Sequence, residues 1–110
     1  MCIRDSVTTE RLVREHPDIA AGAVRAIVKT QRALRADPPL AVKAAQRLFP
    51  AEEASLIAYE VARDAPFYDA TITEEMVTHI SGFAREISAL EGEVRYKELV
   101  ATQFAALWKG

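Results

Sequence analysis

Aromatic and acidic side chains come together at one point of the chain, in the tripeptide Phe67, Tyr68 and Asp69. Two rings and a carboxylate on a loop are typical of a ligand cleft, where rings supply contact area and the carboxylate fixes orientation. These three residues are therefore the candidate ligand contacts of the chain. The structural alternative, which the sequence favours, is that Phe67 and Tyr68 close the end of a helical core.

Two pairs of glutamates resemble the paired carboxylates of general acid–base catalysis, Glu52 with Glu53 and Glu74 with Glu75. Each pair falls in the first turn of a predicted helix, where negative charge interacts favourably with the helix dipole. Stabilisation of the helix ends therefore explains both pairs better than catalysis does.

The histidines and one group of basic residues have similar explanations. His16 precedes a proline at a helix end, where it can interact with the terminal carbonyls, and His79 lies on the polar face of its helix. Arg25, Lys29 and Arg32 share one face of a predicted helix. Spaced charges of this kind usually form a solvated surface, and an anion-binding patch is the alternative.

The sequence contains no recognisable catalytic, phosphate-binding or metal-binding motif. Its 4 glycines are scattered, and neither a His-Glu-x-x-His pattern nor a nucleophile elbow occurs. The single cysteine excludes an internal disulfide and any multi-cysteine metal site. We therefore predict no catalytic residue, no metal site and no cofactor, and we expect that the protein is not an enzyme.

The overall composition is that of an ordinary globular domain. The chain has 110 residues, of which 50% are hydrophobic and 27% are charged, so one domain is expected. A net charge of -2 gives no electrostatic reason to expect a nucleic-acid partner. No apolar run approaches the roughly 18 residues that a membrane-spanning helix needs, and residues 1–15 lack the apolar centre of a secretory signal. We expect no membrane insertion.

Helical periodicity runs through nearly the whole chain, which predicts an all-α fold of five or six helices without a convincing strand. The break at His16 and Pro17 separates the first helix from the second. No flexible linker occurs, so we expect no domain boundary inside the chain. The predicted helices cover residues 9–16, 17–36, 39–48, 51–64, 74–90 and 95–109.

The strongest apolar stripe lies on the predicted helix 74–90, with Thr73 as its N-cap and Gly92 just past its end. The stripe has the i, i+3, i+4, i+7 spacing of a buried face, and its members are Met76, Val77, Ile80, Phe83, Ala84, Ile87 and Leu90. The other residues predicted to face inward are Ile19, Ala20, Ala23, Val24, Ile27, Val28, Leu34, Ala41, Ala44, Ala45, Leu48, Ala54, Ile57, Ala58, Val61, Leu99, Val100, Phe104, Leu107 and Trp108.

The first six residues, MCIRDS, resemble a translated sequencing adapter. We therefore treat Met1–Ser6 as a non-native tail, exclude it from the fold and give Cys2 no weight. The alternative is a genuine short N-terminal tail.

Several short motifs between residues 7 and 109 together resemble a known family by their order and spacing. The motifs are Thr8-Thr9-Glu10, His16-Pro17-Asp18, Ala33, Ile72 to Met76, Phe83-Ala84 before Gly92, and Val94-Arg95-Tyr96 leading to Phe104. They resemble the solute-binding proteins of nitrate, sulfonate and taurine ABC transporters, including those that bind a pyrimidine precursor of thiamine. The segment Val7 to Leu34 is similar to the helices that follow the last hinge strand in that family.

The resemblance implies a periplasmic or otherwise extracytoplasmic parent of two α/β lobes joined by hinge strands. Such a protein binds a small solute between its lobes and delivers it to an ABC permease. The solute would be nitrate, a sulfonate, taurine or the pyrimidine precursor. Residues 7–110 would form its C-terminal helical part, packing mainly against the first lobe. Since the cleft residues of the family come mostly from upstream segments, no ligand-binding residue is carried over.

In a chain without the sheets that these helices cover, the apolar stripes would be partly exposed or would pack on one another in a non-native bundle. We therefore expect the isolated polypeptide to be marginally stable or to self-associate. The alternative function is a free-standing cytoplasmic helical module, such as the ligand-sensing or dimerisation half of a transcription regulator. The all-helical pattern favours this alternative, whereas the ordered resemblance and the lack of a helix-turn-helix oppose it.

Overall fold

A computed structural model describes residues 7–109, and this part of the chain is all-helical, without a strand. The predicted fold class is therefore confirmed. The proposed adapter segment, Met1–Ser6, lies outside the described residues. The α-helices are α1 Glu10–Glu15, α2 Pro17–Ala36, α3 Leu40–Leu48, α4 Ala51–Asp64, α5 Glu74–Glu86, α6 Tyr96–Leu99 and α7 Ala105–Trp108. Two short 3₁₀ helices cover Ala65–Phe67 and Thr102–Phe104.

The helices that prolines delimit have their predicted bounds. Helix α2 begins at Pro17. At the first position of a helix, the proline ring already holds φ at a helical value, and the missing N–H costs no hydrogen bond because an N–H there has no acceptor within the helix. Pro50 directly precedes α4, which runs over the predicted residues 51–64. Proline therefore sets these starts locally, without help from tertiary contacts.

Threonine side chains cap two helices. The Thr9 hydroxyl accepts a hydrogen bond from the Leu12 N–H at 3.1 Å, and the Thr73 hydroxyl accepts one from the Met76 N–H at 3.2 Å. Each bond satisfies an amide in the first turn that has no partner within the helix. The predicted N-cap at Thr73 is confirmed, and Thr9 caps α1 in the same way.

Helix α5 ends at Glu86, earlier than predicted, and Gly92 is not the residue that terminates it. The left-handed residue is Ser88, with φ 58°. The Ser88 N–H donates to the Arg85 carbonyl at 3.0 Å, and the Ala89 N–H donates to the Ala84 carbonyl at 2.8 Å. These two bonds form a Schellman motif, which satisfies the last carbonyls and stops the helix.

The predicted helix 95–109 is broken into α6, a 3₁₀ turn and α7. Val100 is extended, with φ -107° and ψ 127°, so α6 stops after one turn. Val100 and Thr102 are β-branched and have low helix propensity, which favours a break at this point. Val100 and Phe104 are buried as predicted, but Leu99 is exposed.

The described chain divides into two compact units. The first consists of residues 7–24 and Thr71–Lys109, and the second of residues 25–70. In the first unit, a core cluster forms where Phe104 packs with Ala20 and Ala21, and partly buried side chains surround it: Val13, Val24, Ala101 and Leu107. The Tyr96 hydroxyl donates to the Ile72 carbonyl at 2.6 Å, which links α6 to the segment before α5.

The second unit is built on the packing of α3 against α4. Its core cluster contains Ala41, Val61 and Ala65, with Leu34, Ile57 and Tyr68 packed against them. Ala45 and Ala54 are also buried, whereas Ala44 and Leu48, which were predicted to face inward, are exposed. Small side chains therefore make most of this core, and larger apolar side chains remain outside it.

Candidate functional site

The candidate residues Phe67, Tyr68 and Asp69 follow directly after α4. Pro66 lies in the 3₁₀ turn Ala65–Phe67, and the Tyr68 N–H donates to the Ala65 carbonyl at 3.2 Å. The chain then continues in extended conformation from Tyr68. A tight turn therefore determines the direction of each of the three side chains.

The turn separates the two aromatic rings. Ala65 is 0% exposed and Tyr68 packs against the same cluster, whereas Phe67 is 84% exposed. A 3₁₀ helix has three residues per turn, so residues 65 and 68 face the same side and Phe67 faces another. The prediction that aromatics close the end of the core is right for Tyr68 and wrong for Phe67.

Arg35 reaches this turn from the last turn of α2. Its Nη1 atom donates a hydrogen bond to the Tyr68 carbonyl at 3.2 Å. The sequence analysis did not identify Arg35, because 33 residues separate the partners and nothing local signals the contact. This bond attaches the backbone at Tyr68 to α2 and gives the turn a second support besides the packing of the Tyr68 ring.

The geometry around the tripeptide lacks the features of a cleft. Phe67 and Asp69 are exposed, and Tyr68 uses its ring for packing. A shallow pocket of about 290 Å³ lies elsewhere in the second unit, lined by Ala44, Arg47 and Leu48. The structure therefore brings Tyr68 and Arg35 together but does not gather the three candidate residues around one space.

An ion pair occupies the end of α4 just before the turn. The Arg63 guanidinium donates to both carboxylate oxygens of Asp64, at 2.7 and 3.0 Å. The hydrogen bond to Asp64 and its negative charge raise the pKa of Arg63 above its ordinary value. The two opposite charges at the end of α4 are therefore paired with each other.

The remaining candidate residues lie where the sequence analysis expected them. The glutamate pairs are in the first turns of α4 and α5. The His16 backbone N–H donates the last helical hydrogen bond of α1, to the Leu12 carbonyl at 2.8 Å. The non-helical backbone of His16, with φ -135° and ψ 60°, then ends the helix. His79 is exposed on α5. Arg25, Lys29 and Arg32 are all exposed along α2.

Neither a metal site nor a membrane span is found in residues 7–109. Within this range, no group of three or more His, Cys, Asp or Glu side chains is arranged to hold a metal ion. No helix among the described residues is both long and apolar enough to cross a bilayer.

The most prominent surface feature is an apolar ridge along α5. Four large apolar residues on this helix are about half exposed: Met76 (46%), Ile80 (55%), Phe83 (56%) and Ile87 (58%). We call these four residues the α5 ridge. The sequence analysis identified the stripe but predicted that it faces the core. The buried residues of α5 are instead Val77 and Ser81. They are four residues apart, so they lie on one face of the helix, about a quarter to a third of a turn around the helix axis from the ridge.

Comparison of the chain with protein-family models, curated proteins and solved structures found no match. Function must therefore be inferred from the residues and surfaces of the chain itself. Among these, the exposed apolar faces carry more information than the tripeptide Phe67, Tyr68 and Asp69.

Proposed function

We propose that this chain is the C-terminal helical part of an extracytoplasmic solute-binding protein, whose parent captures a small solute for ABC-type import. The solute belongs to the group of nitrate, sulfonates, taurine and the pyrimidine precursor of thiamine. The parent works by closing two lobes around the solute and then docking on a permease, without covalent chemistry. The ordered motifs described above are the sequence support for this proposal.

The observation that carries the proposal is a difference in size: the buried apolar side chains are mostly small, and many of the exposed ones are large. Most residues of the two cores are alanine or valine, and Phe104 is the only larger apolar side chain among the buried residues that the structure describes. Larger apolar residues are exposed on several helices, among them Ile19, Leu48, Leu56, Tyr59 and the α5 ridge. The helices therefore have apolar faces that their contacts within the chain do not cover.

Helices with such faces are typical components of α/β proteins, because each helix there buries one side against a sheet. A sheet supplied by other sequence of the parent would cover faces like the α5 ridge. Burial of apolar surface stabilises by roughly 25 cal/mol for each Å², so docking these helices on a sheet would contribute several kcal/mol. Several of the apolar stripes are partly exposed, and this exposure is the physical support for the proposal.

The first test is to sequence the source DNA across the codon for Val7 and to express the longest continuous reading frame. Isothermal titration calorimetry of that product would use nitrate, taurine, an alkylsulfonate and the pyrimidine precursor in turn. We expect upstream sequence with α/β periodicity, and saturable binding of one of the four solutes. The 110-residue chain is the matched control, and we expect no binding to it, since its parent's cleft residues come mostly from upstream.

A genuine start codon at Met1, with a stop codon directly before it, would contradict the proposal. The free-standing helical module would then be the better hypothesis. An upstream frame that encodes a small basic DNA-binding domain would identify it as the ligand-sensing or dimerisation half of a transcription regulator. Under either hypothesis, ligand contact by Phe67, Tyr68 and Asp69 stays a prediction.

A further inference from the structure

The α5 ridge has a spacing that reads the same in both directions. Met76, Ile80, Phe83 and Ile87 follow each other at intervals of four, three and four residues. Alternating steps of three and four are the spacing of a coiled-coil seam, in which apolar side chains of one helix fit between those of another. All four side chains are about half exposed, so the seam is available on the surface.

A palindromic seam matches a second copy of itself in the antiparallel direction. With a two-fold axis between Ile80 and Phe83, Met76 lies opposite Ile87 of the second copy, and Ile80 lies opposite Phe83 of the second copy. Each contact then occurs twice, as in other symmetric dimers.

The residues beside the ridge favour the same arrangement. His79 and Glu86 lie on one side of the seam, and Val77 and Ala84 lie on the other. In the antiparallel pair, the His79 imidazole comes beside the carboxylate of Glu86 from the second copy, and symmetry repeats this contact. A parallel pair would place His79 near Ala84 of the second copy, where no polar contact forms.

We propose that the α5 ridge is a homodimer interface, in which α5 pairs antiparallel with α5 of a second copy of this chain. The two seams exclude water, and the two contacts between His79 and Glu86 determine direction and register. This inference goes beyond the proposed function and concerns the 110-residue chain by itself. In the proposed parent, a sheet would take the place of the second copy on the ridge.

The size of the ridge indicates a weak dimer. Four side chains at this exposure leave on the order of 400 Å² of apolar surface on each copy, whereas a standard stable interface covers roughly 800 Å² per partner. We therefore expect an equilibrium between monomer and dimer that depends on protein concentration. Sedimentation equilibrium over about 5 to 500 μM covers the range in which such interfaces associate.

The first comparison uses two substitutions at equally exposed apolar positions. Ile80→Asp places a charge in the centre of the seam, and we expect it to raise the dimer Kd by roughly tenfold or more. Leu56→Asp on α4 is the matched control, because Leu56 is 59% exposed and lies outside the ridge. We expect its Kd to equal that of the unchanged chain. Far-UV circular dichroism of both variants shows whether the helices remain folded.

Charge changes beside the seam provide a second test that leaves the apolar residues in place. His79→Lys should strengthen the dimer, and His79→Glu should weaken it, each by roughly threefold to tenfold, because both contacts with Glu86 change at once. Thr78→Lys and Thr78→Glu are the controls, since Thr78 lies on the opposite side of the helix from the ridge. Equal effects at positions 78 and 79 would contradict the proposed register.

Disulfide trapping tests the direction of the two helices. The chain carries Met76→Cys and Ile87→Cys together, with Cys2→Ser to remove the single cysteine of the unchanged sequence. After mild oxidation, we expect bonds between position 76 of one copy and position 87 of the other, identified by mass spectrometry of proteolytic fragments. Bonds that join position 76 to position 76 would indicate parallel pairing and overturn the proposal, as would a monomer throughout the concentration series.

Discussion

Helices α4 and α5 have similar lengths and apolar patterns but differ in what they bury. They have 14 and 13 residues, both carry two glutamates in the first turn, and both have an apolar stripe. Helix α4 packs against α3 and buries Ala54 and Val61 from its stripe. Helix α5 buries Val77 but leaves the four residues of its ridge about half exposed.

Periodicity therefore identifies an apolar face but not the surface that covers it. The stripe of α4 begins with alanine, which allows close approach to a neighbouring helix, and α3 presents Ala41 and Ala45 as buried residues of its own. The ridge of α5 consists of large side chains, which need a broader partner surface. A sheet of a parent protein and a second copy of α5 are the two partners proposed above.

We expect the strongest effect from placing a charge at a buried position of α4. Ala54→Asp buries a carboxylate at a position that is 5% exposed, and we expect it to lower the free energy of unfolding by about 2–4 kcal/mol. Ser55→Asp is the matched control at the adjacent exposed position and should change it by less than about 0.5 kcal/mol. Urea denaturation followed by circular dichroism measures both. Equal losses for the two variants would show that Ala54 is not buried in solution.

A smaller contrast comes from removing methyl groups from the two stripes. Val61→Ala should lower the free energy of unfolding by about 1–2 kcal/mol, because it removes buried apolar volume and leaves a cavity. Ile80→Ala should change it by less than about 0.5 kcal/mol, since the side chain is exposed and alanine has the higher helix propensity. The measurement is the same urea titration, made at low protein concentration so that dimerisation does not contribute. A loss for Ile80→Ala as large as that for Val61→Ala would mean that the ridge is covered.

The N-caps of the two helices differ, which gives a third prediction. Thr73→Ala removes the hydroxyl that accepts the Met76 N–H, and we expect a loss of about 1 kcal/mol in stability. Thr73→Asp restores an acceptor and should recover most of this loss. Helix α4 has no side-chain cap at Pro50, so α5 should be the more sensitive of the two to changes at its N-cap. Recovery by Asp but not by Val would identify the hydrogen bond as the cause.

The smallest expected effect is a gain in stability at the other end of α5. Ser88 has φ 58°, a conformation that glycine adopts without the steric conflict of a side chain. We expect Ser88→Gly to raise the free energy of unfolding by about 0.5–1 kcal/mol, with the thermal midpoint as the measurement. Ser88→Ala is the control and should give no gain. A loss for Ser88→Gly would indicate that the Ser88 side chain makes a contact that outweighs the backbone strain.

The sequence allowed most helix positions to be predicted because their signals are local. Prolines marked the starts of α2 and α4, and threonine hydroxyls marked the starts of α1 and α5. The end of α5 was wrong because Ser88 adopts a conformation for which glycine is the usual signal. The break at Val100 was missed because the apolar spacing continues through it.

Much less of the candidate site could be predicted, because it depends on the directions of side chains and on contacts between residues far apart in the sequence. The composition of Phe67, Tyr68 and Asp69 suggested a ligand-contact loop, but the 3₁₀ turn directs Tyr68 to the core and exposes Phe67. The hydrogen bond from Arg35 joins residues 33 positions apart, and no sequence pattern indicates it.

The sequence alone was sufficient to predict an all-helical fold, the starts of most helices and the apolar face of each helix. These properties follow from backbone capping, proline geometry and side-chain spacing, all of which act within a few residues. Only the tertiary structure decided which apolar faces are covered: α4 is covered by α3, and the α5 ridge is exposed. The reason is that burial depends on the partner surface, and a helix encodes its own apolar face without encoding the surface that meets it.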